Sequence, residues 1–280
     1  MKHTIFLLPL LFLFACGESE TSQSGLSSDA DFAMVALNDS ESLARMQGFL
    51  EYQFSDRYEA RWNFEEELAD LNLSPIWTTE TFPGDLPLNR LERAEPLGYI
   101  GQDKQRLYMH LSDVRQDEVN SLRYLVTGKS MVKGNICDFT GELIVTGVQE
   151  FTLPYHGKAD YLVDPHEARF GVLTGTYHFF EDSTQRHVGE FEGTFVSSFM
   201  LRKAGQPEYG LMGFISDGYL NHQFTGTWSG YGPDRGRPAN WGDYRIPEAG
   251  DLDIGAGEFM PSPKYAEKGW DGQVVGDWWE

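Results

Sequence analysis

Two observations predict a mainly β fold, an antiparallel barrel or sandwich of about eight strands. A large apolar residue, a glycine and a second large apolar residue recur four times at a spacing of two, which places all three on one face of a strand. Turn-forming residues also separate the apolar segments at short intervals, as is typical of antiparallel sheets. The four instances of the pattern are Phe139, Gly141 and Leu143; Leu173, Gly175 and Tyr177; Phe191, Gly193 and Phe195; and Phe224, Gly226 and Trp228.

The alternation of large and small residues favours a barrel over a sandwich. An inner face that tapers or bends strongly needs glycine between bulky side chains. Further strands are predicted at residues 106–111, 121–132 and 136–148, each an apolar segment bounded by turn residues. In general layout the pattern resembles lipocalin-type barrels, while a sandwich of the same strands stays the alternative.

The register of one hairpin follows from its apolar faces, because a slip of one residue would turn a whole face outward. The predicted register pairs Tyr177 with Phe191, so that the aromatic faces of the two strands coincide. It also places His178 opposite Glu190 on the other face of the sheet.

The first residues have the form of a bacterial export signal. A basic start precedes an apolar stretch at residues 5–14, which is too short to span about 30 Å of hydrocarbon. The stretch ends in the motif Leu13-Phe14-Ala15-Cys16, which resembles the lipobox of bacterial lipoproteins. The resemblance implies that the segment before Cys16 is removed and that Cys16 is acylated. Gly17, in place of an aspartate, favours the outer membrane by the same resemblance.

The composition changes along the chain predict five segments. Serine, threonine, glutamine and acidic residues follow Cys16 as in a flexible tether, whereas glycine and aromatic residues dominate the C-terminal part and predict docking by aromatic burial. A short helical element is predicted at residues 64–71. The segments are a signal peptide at 1–15, a lipidated tether at 16–31, a mixed N-terminal part with a loop at 32–95, an antiparallel β domain at 96–231 and a packed strap at 232–280.

The charge balance limits the classes of partner. With 43 Asp and Glu against 22 Lys and Arg, the formal net charge is −21, which opposes contact with phosphate backbones. We therefore expect no nucleic-acid partner and a membrane association only through the lipid at Cys16. Acylation of Cys16 leaves Cys137 as the only thiol, so an internal disulfide is excluded. The chain also lacks nucleotide-binding and zinc motifs, and no cofactor is predicted.

Three groups of residues are candidates for chemistry, although each also suits an ordinary structural role. His178 and Glu190 form an acid–base pair in the predicted register, but such a pair on a solvated sheet face needs no function. The carboxylates of Asp251, Asp253 and Glu258 supply the oxygen ligands that calcium prefers, or they are solvated loop acids. The ligand-binding candidates in the C-terminal part are Trp241, Tyr244 and Arg245.

These observations favour a non-catalytic envelope lipoprotein. Its β domain is expected to bind a small apolar or glycan ligand or a partner protein, because the strand faces are aromatic and strong catalytic motifs are absent. Two alternatives stay open at this point. One is an envelope hydrolase that uses histidine and carboxylate chemistry, and the other is a structural or assembly lipoprotein.

Overall fold

A computed structural model of the protein describes residues 44–45, 70–83, 90–151, 168–202, 205–233, 236–272 and 276–280. The described part is mainly β. Its elements in chain order are α1 (Ser74–Thr78), β1 (Thr81–Pro83), β2 (Arg90–Glu92), β3 (Leu97–Ile100), β4 (Gln105–Gln116), β5 (Arg123–Val132), β6 (Asn135–Phe151), β7 (Ala168–Glu181), β8 (Gly189–Arg202), β9 (Pro207–Tyr209), β10 (Asn221–Gly230) and β11 (Arg237–Asp243), followed by 3₁₀ turns at Gly250–Leu252 and Pro263–Lys268.

Several expectations fall outside the described residues. These are the lipid attachment at Cys16, the signal and tether segments, and residues 64–69 of the short helix predicted at 64–71, whose last two residues form a turn and a bend. Within the described residues, no helix has the length and apolarity needed to cross a membrane.

Eight antiparallel strands close into a barrel. The sheet runs in the order β10, β11, β3, β4, β5, β6, β7 and β8, and β8 pairs again with β10, which removes both open edges. The predicted barrel is thereby confirmed, and the sandwich is not formed. The short strand β9 continues along the edge of β8 beyond the point where β10 leaves it.

The barrel extends further along the chain than expected. The C-terminal segment was expected to be an irregular strap from residue 232 onward, yet β11 is a full barrel strand between β10 and β3. Trp241 in β11 lies beside Gly98 of β3 and opposite Phe224 of β10. The rest of the segment packs on the outside of the barrel, where Trp270 lies against Arg106 at 4.3 Å from the guanidinium carbon to the ring centre.

The observed register of the β7–β8 hairpin differs from the expected one by two residues. Tyr177 pairs with Gly193 rather than with Phe191, and Gly175 pairs with Phe195. A shift of two residues keeps the aromatic side chains on the inner face. It places the Phe195 ring over Gly175 and pairs Tyr177 with Gly193, whereas Phe179 pairs with Phe191.

The same arrangement of ring and glycine recurs around the barrel. The Phe139 ring covers Gly128 of the neighbouring strand, and the Phe195 ring covers Gly175. The space that a side chain would need at each glycine is already occupied by carbon atoms of the facing ring. The middle of the barrel is therefore packed with aromatic side chains, among them Tyr177, Phe179, Phe191, Phe224 and Trp241.

One end of the barrel is plugged by α1, and we call it the plugged end. The Trp77 ring enters the barrel, with its centre 5.2 Å from that of Tyr124 and 5.8 Å from that of Phe195. Its indole Nε1–H donates to Ser197 Oγ at 3.2 Å. The opposite end, which carries the turns after β3, β5, β7 and β10, is called the open end.

Adding a side chain at Gly193 should destabilise the barrel. A Cβ atom there would collide with the carbonyl oxygen of Thr225 and lie 2.7 Å from the Cα of Gly226, so the backbone has to shift. We expect Gly193→Ala to lower the free energy of unfolding by about 1–3 kcal/mol, as measured by urea denaturation. Gly232→Ala is the matched control, because no atom lies within 4 Å of its added Cβ. Equal stability of the two variants would contradict the packing described.

Candidate functional site

The open end of the barrel holds a cavity of about 530 Å³. It lies at the far end from α1: along β5, the cavity residue Ser130 is six positions beyond Tyr124, which contacts Trp77, and this spacing corresponds to about 20 Å of strand. Its principal lining side chains are Ile100, Ser130, Cys137, Glu181, Phe191 and Trp228.

Glu181 is the buried acid of this cavity. It ends the inward-facing row of β7 that contains Tyr177 and Phe179, and its side chain is held inside the barrel with only 5% of the residue exposed. One carboxylate oxygen, Oε1, accepts a hydrogen bond from the Ser130 hydroxyl. The other, Oε2, accepts from Trp228 Nε1–H at 3.0 Å and from the backbone N–H of Gly189 at 2.8 Å.

Burial raises the pKa of the Glu181 carboxyl, while the hydrogen bonds from Ser130, Trp228 and Gly189 act in the opposite direction. The three donors therefore hold the carboxylate in one orientation without fully offsetting the loss of its hydration. They also link β7, which carries Glu181, to three other strands, because Ser130 lies in β5, Trp228 in β10 and Gly189 at the start of β8.

Cys137 lies in the same cavity but is a poor nucleophile. Its Sγ accepts a hydrogen bond from Asn135 Nδ2 at 3.0 Å, and it lies 3.7 Å from the carbonyl oxygen of Arg186. Burial, together with the nearby charge of Glu181, raises the pKa of the Cys137 thiol to about 11. The thiol is therefore protonated at neutral pH, and a thiolate is the reactive form of cysteine.

The walls of the cavity are apolar and its rim is polar. Ile100, Phe191 and Trp228 supply the apolar surface. Lys133 and His187 are exposed at the rim, and the Arg237 guanidinium lies 5.5 Å from the centre of the Trp228 ring. An apolar enclosure with a few oriented polar groups is the usual composition of a small-molecule site.

His178 and Glu190 contact each other, but not at this cavity. His178 Nε2 lies 3.0 Å from Glu190 Oε2, although the backbone partner of His178 is Glu192 because of the shifted register. Both side chains are about a third exposed, at 36% and 35%, on the outer face of the sheet. The shallow outer groove beside them contains Phe180, whose ring centre is 4.0 Å from that of His178.

Two of the three proposed calcium ligands, Asp251 and Asp253, make other contacts, and the third, Glu258, is exposed. Asp251 accepts hydrogen bonds from Lys264 and Tyr265. Asp253 pairs with Arg245 at 2.5 Å, and its other oxygen accepts the backbone N–H groups of Gly255 and Met260. Within the described ranges, no group of three or more histidine, cysteine, aspartate or glutamate side chains is arranged to hold a metal ion.

The three ligand-binding candidates of the C-terminal part lie apart from the cavity. Trp241 is buried in the middle of the barrel, stacked on Phe224 at 4.9 Å between ring centres. Tyr244 packs against Phe214 and Tyr219 near the plugged end. Arg245 holds the 253–257 loop through its ion pair with Asp253 and through backbone carbonyl oxygens.

A buried polar chain at the plugged end resembles a catalytic dyad but holds α1 in place. His222 Nδ1 lies 2.9 Å from Ser197 Oγ, and its Nε2–H donates to the carbonyl oxygen of Ile76 in α1 at 3.0 Å. Ser197 Oγ also accepts the indole N–H of Trp77. Ser197 and His222 are both at most 1% exposed, so their polar atoms are used up by contacts inside the protein.

The plugged end also contains a buried ion pair. Arg93 Nε lies 2.8 Å from Asp243 Oδ2, and the Tyr209 hydroxyl donates to the same oxygen at 2.9 Å. Arg93 Nη1–H donates to the carbonyl oxygen of Trp77 at 2.7 Å. Asp243 is the last residue of β11, so the pair fixes the end of that strand to α1 and to the chain after β2.

His222 should make the protein sensitive to acid. Burial, and then the charge of Arg93, lowers the pKa of His222 well below its ordinary value. Below about pH 6.5 the unfolded chain therefore binds a proton that the folded chain excludes, and stability falls by about 1.4 kcal/mol per pH unit from this group. His222→Asn should remove this dependence, since asparagine tolerates the left-handed backbone at this position, where φ is 45°.

Urea denaturation at pH 7, 6 and 5 measures this effect. The wild type should lose stability more steeply than His222→Asn, while the control His187→Asn, at an exposed position that is also left-handed with φ at 57°, should keep the wild-type slope. A His222→Asn slope equal to that of the wild type would show that this histidine is not held neutral.

Sequence reasoning missed Glu181 and Ser130, although a signal for both was present. The inward-facing row of β7 continues from Leu173 through Tyr177 in steps of two, and two further steps reach Glu181. The same stepping along β5 from Tyr124 reaches Ser130. A polar residue that continues an inward-facing apolar row at the end of a strand is the signal of a polar group inside a barrel mouth.

Comparisons with known proteins found no relative that indicates a function. No family model matches the chain, and neither a curated protein sequence nor a solved structure shows significant similarity to it.

Proposed function

We propose that this protein is a lipid-anchored binding protein of the bacterial cell envelope and that its barrel holds a small molecule at the open end. One observation supports the proposal above the others: the cavity of about 530 Å³ has apolar walls and a single deeply buried acid, Glu181. Cavities of roughly 300–1,000 Å³ with this composition are typical of small-ligand sites.

The difference between the two ends of the barrel, one filled and one with free space, supports the same function. At the plugged end, α1 and its buried hydrogen bonds to Ser197 and His222 fill the space that a ligand would need. At the open end, the aromatic packing stops at Phe191, and space remains beyond it. A ligand can therefore enter from the open end and rest on the aromatic floor.

The cavity groups suit binding rather than covalent chemistry. The Cys137 thiol is protonated at neutral pH because its pKa is about 11. Ser130 is only 2% exposed and donates its hydroxyl hydrogen to Glu181. Glu181 is in turn oriented by three donors, which makes it a fixed hydrogen-bond acceptor at the side of the cavity.

The anchor is the residue that the lipobox resemblance identifies. Several acyl chains on Cys16 would hold an acidic domain at a membrane far more firmly than one chain does. Residues 17–31 then serve as the tether between the membrane and the folded part. The segment is long enough, at about 3.3 Å per extended residue, to place the barrel several nanometres from the membrane surface.

The lipid anchor predicts a specific labelling result. Cells that express the protein are fed an alkyne-bearing fatty acid, and the wild type should incorporate the label while Cys16→Ser should not. Cys137→Ser is the matched control and should be labelled like the wild type, because the second cysteine of the chain is buried. Equal labelling of the wild type and Cys16→Ser would contradict the anchor.

The cavity predicts the site of binding of N-phenyl-1-naphthylamine, an uncharged fluorophore that brightens in apolar surroundings. Val132→Trp should raise the dissociation constant of the dye by about tenfold or more, because Val132 lines the cavity and the indole would fill it. Leu125→Trp is the matched control, since Leu125 lies on the same strand and lines the outer groove.

Leu125→Trp should bind the dye as the wild type does, and circular dichroism should show that both variants keep the fold. Unchanged dye binding by a folded Val132→Trp variant would contradict a binding site at the open end.

A further inference from the structure

Among the described residues, the Glu181 carboxylate has hydrogen-bond donors but no counter-ion. Its three partners are a serine hydroxyl, an indole N–H and a backbone N–H, and all three are uncharged. The ion pairs of the described ranges do not include Glu181. When it is ionised, the Glu181 carboxylate, at 5% exposure, is therefore held by dipoles alone. Buried charges in proteins are usually paired, so this one is a departure that calls for an explanation.

The contrast with the plugged end strengthens this point. Asp243 is similarly buried, yet there the chain supplies Arg93 at 2.8 Å as a counter-ion. At the open end, Asp103 on the rim is neutralised by Lys268 at 2.6 Å. In the part of the chain that the structure describes, the Glu181 carboxylate beside the cavity has no such cation, and a positively charged group from outside the chain can take that place.

Resting on the proposed function of the cavity, we infer that its ligand carries a cationic amine that lies against the Glu181 carboxylate. An ammonium group supplies both the positive charge and the N–H donors that the carboxylate lacks. Oε1 accepts one hydrogen bond in the structure, and a carboxylate oxygen has room for a second.

The apolar walls of the cavity indicate the chemistry of the rest of the ligand. Trp228 donates its indole N–H to Glu181, so the ring is fixed beside the carboxylate and gives an amine a π surface next to the charge. Phe191 and Ile100 provide apolar surface for a hydrocarbon or aromatic body. The ligand class is therefore an amine with an apolar or aromatic body.

The positions of the charged groups at the open end favour a cationic ligand over an anionic one. Lys133 and Arg237 are exposed at the rim, where water weakens their interaction with a bound group. Glu181 is the charge in the water-excluded part of the cavity, where electrostatic interactions are stronger. The net charge of −21 also raises the concentration of cations near the protein surface.

Three probes of one shape but different charge test the inference. They are 2-phenylethylamine, 2-phenylethanol and phenylacetate, a cation, a neutral alcohol and an anion, and their dissociation constants are measured by isothermal titration calorimetry at pH 7. We expect the amine to bind about tenfold or more tightly than the alcohol, and phenylacetate to bind most weakly.

Glu181→Gln isolates the charge because the amide keeps the hydrogen bonds. Its oxygen accepts from Trp228 and Gly189, and its –NH₂ group donates to Ser130 once the hydroxyl rotates. The variant should lose the tenfold preference for the amine while its affinity for the alcohol stays within about threefold. Glu190→Gln removes the same charge from the outer face and should bind all three probes as the wild type does.

The outcomes separate this inference from the function on which it rests. Equal affinities for amine and alcohol, an unchanged preference in Glu181→Gln, or tighter binding of phenylacetate would each overturn the amine assignment. Failure of the amine to bind at millimolar concentration, while N-phenyl-1-naphthylamine still binds in a manner sensitive to Val132→Trp, would also overturn it and leave the binding cavity standing. If the dye is insensitive to Val132→Trp as well, the proposed function itself is wrong.

Discussion

The packing of aromatic rings against glycines of the adjacent strands holds this barrel together. Phe139 covers Gly128, and Phe195 covers Gly175, so β5 is held to β6 and β7 to β8 by side chains that only a glycine can admit. Interiors are close-packed, and a methyl group added at such a position meets atoms that have nowhere to move. The register of the barrel and the filling of its middle therefore have one cause.

This packed middle separates two ends with different chemistry. At the plugged end the main polar contacts of α1 and of the chain after it are made inside the protein: Trp77 with Ser197, Ile76 with His222, and Arg93 with Asp243. At the open end the rings stop at Phe191, and a carboxylate held by neutral donors faces unfilled space. A Ser–His contact alone is thus a poor guide to function, since here it serves the plug.

Much of the architecture could be predicted from the sequence, because the recurring pattern of apolar residue, glycine and apolar residue marks the inward-facing side of the strands. Inward-facing side chains recur at a spacing of two along each strand, and this pattern correctly predicts an antiparallel barrel of about eight strands. The register shift at Tyr177 could not be predicted, since aligning ring with ring and ring with glycine satisfies the same facing rule. The role of β11 was hidden by its proline and its glycine, Pro238 and Gly242. The cavity could not be predicted without knowing where the inward-facing rows of side chains end. The acylation of Cys16 rests on the lipobox-like sequence alone, because this residue lies outside the described part of the chain.

The most direct test of this account is where a small molecule perturbs the protein. In ¹H–¹⁵N NMR spectra, saturating N-phenyl-1-naphthylamine should shift the indole N–H of Trp228 and the amide N–H of Gly189, both of which bond to Glu181. The amides of Leu73 and Ser198 at the plugged end, which bond to Tyr124 and Asn221, should stay in place. Shifts at Leu73 and Ser198 with none at Trp228 or Gly189 would contradict a ligand site at the open end.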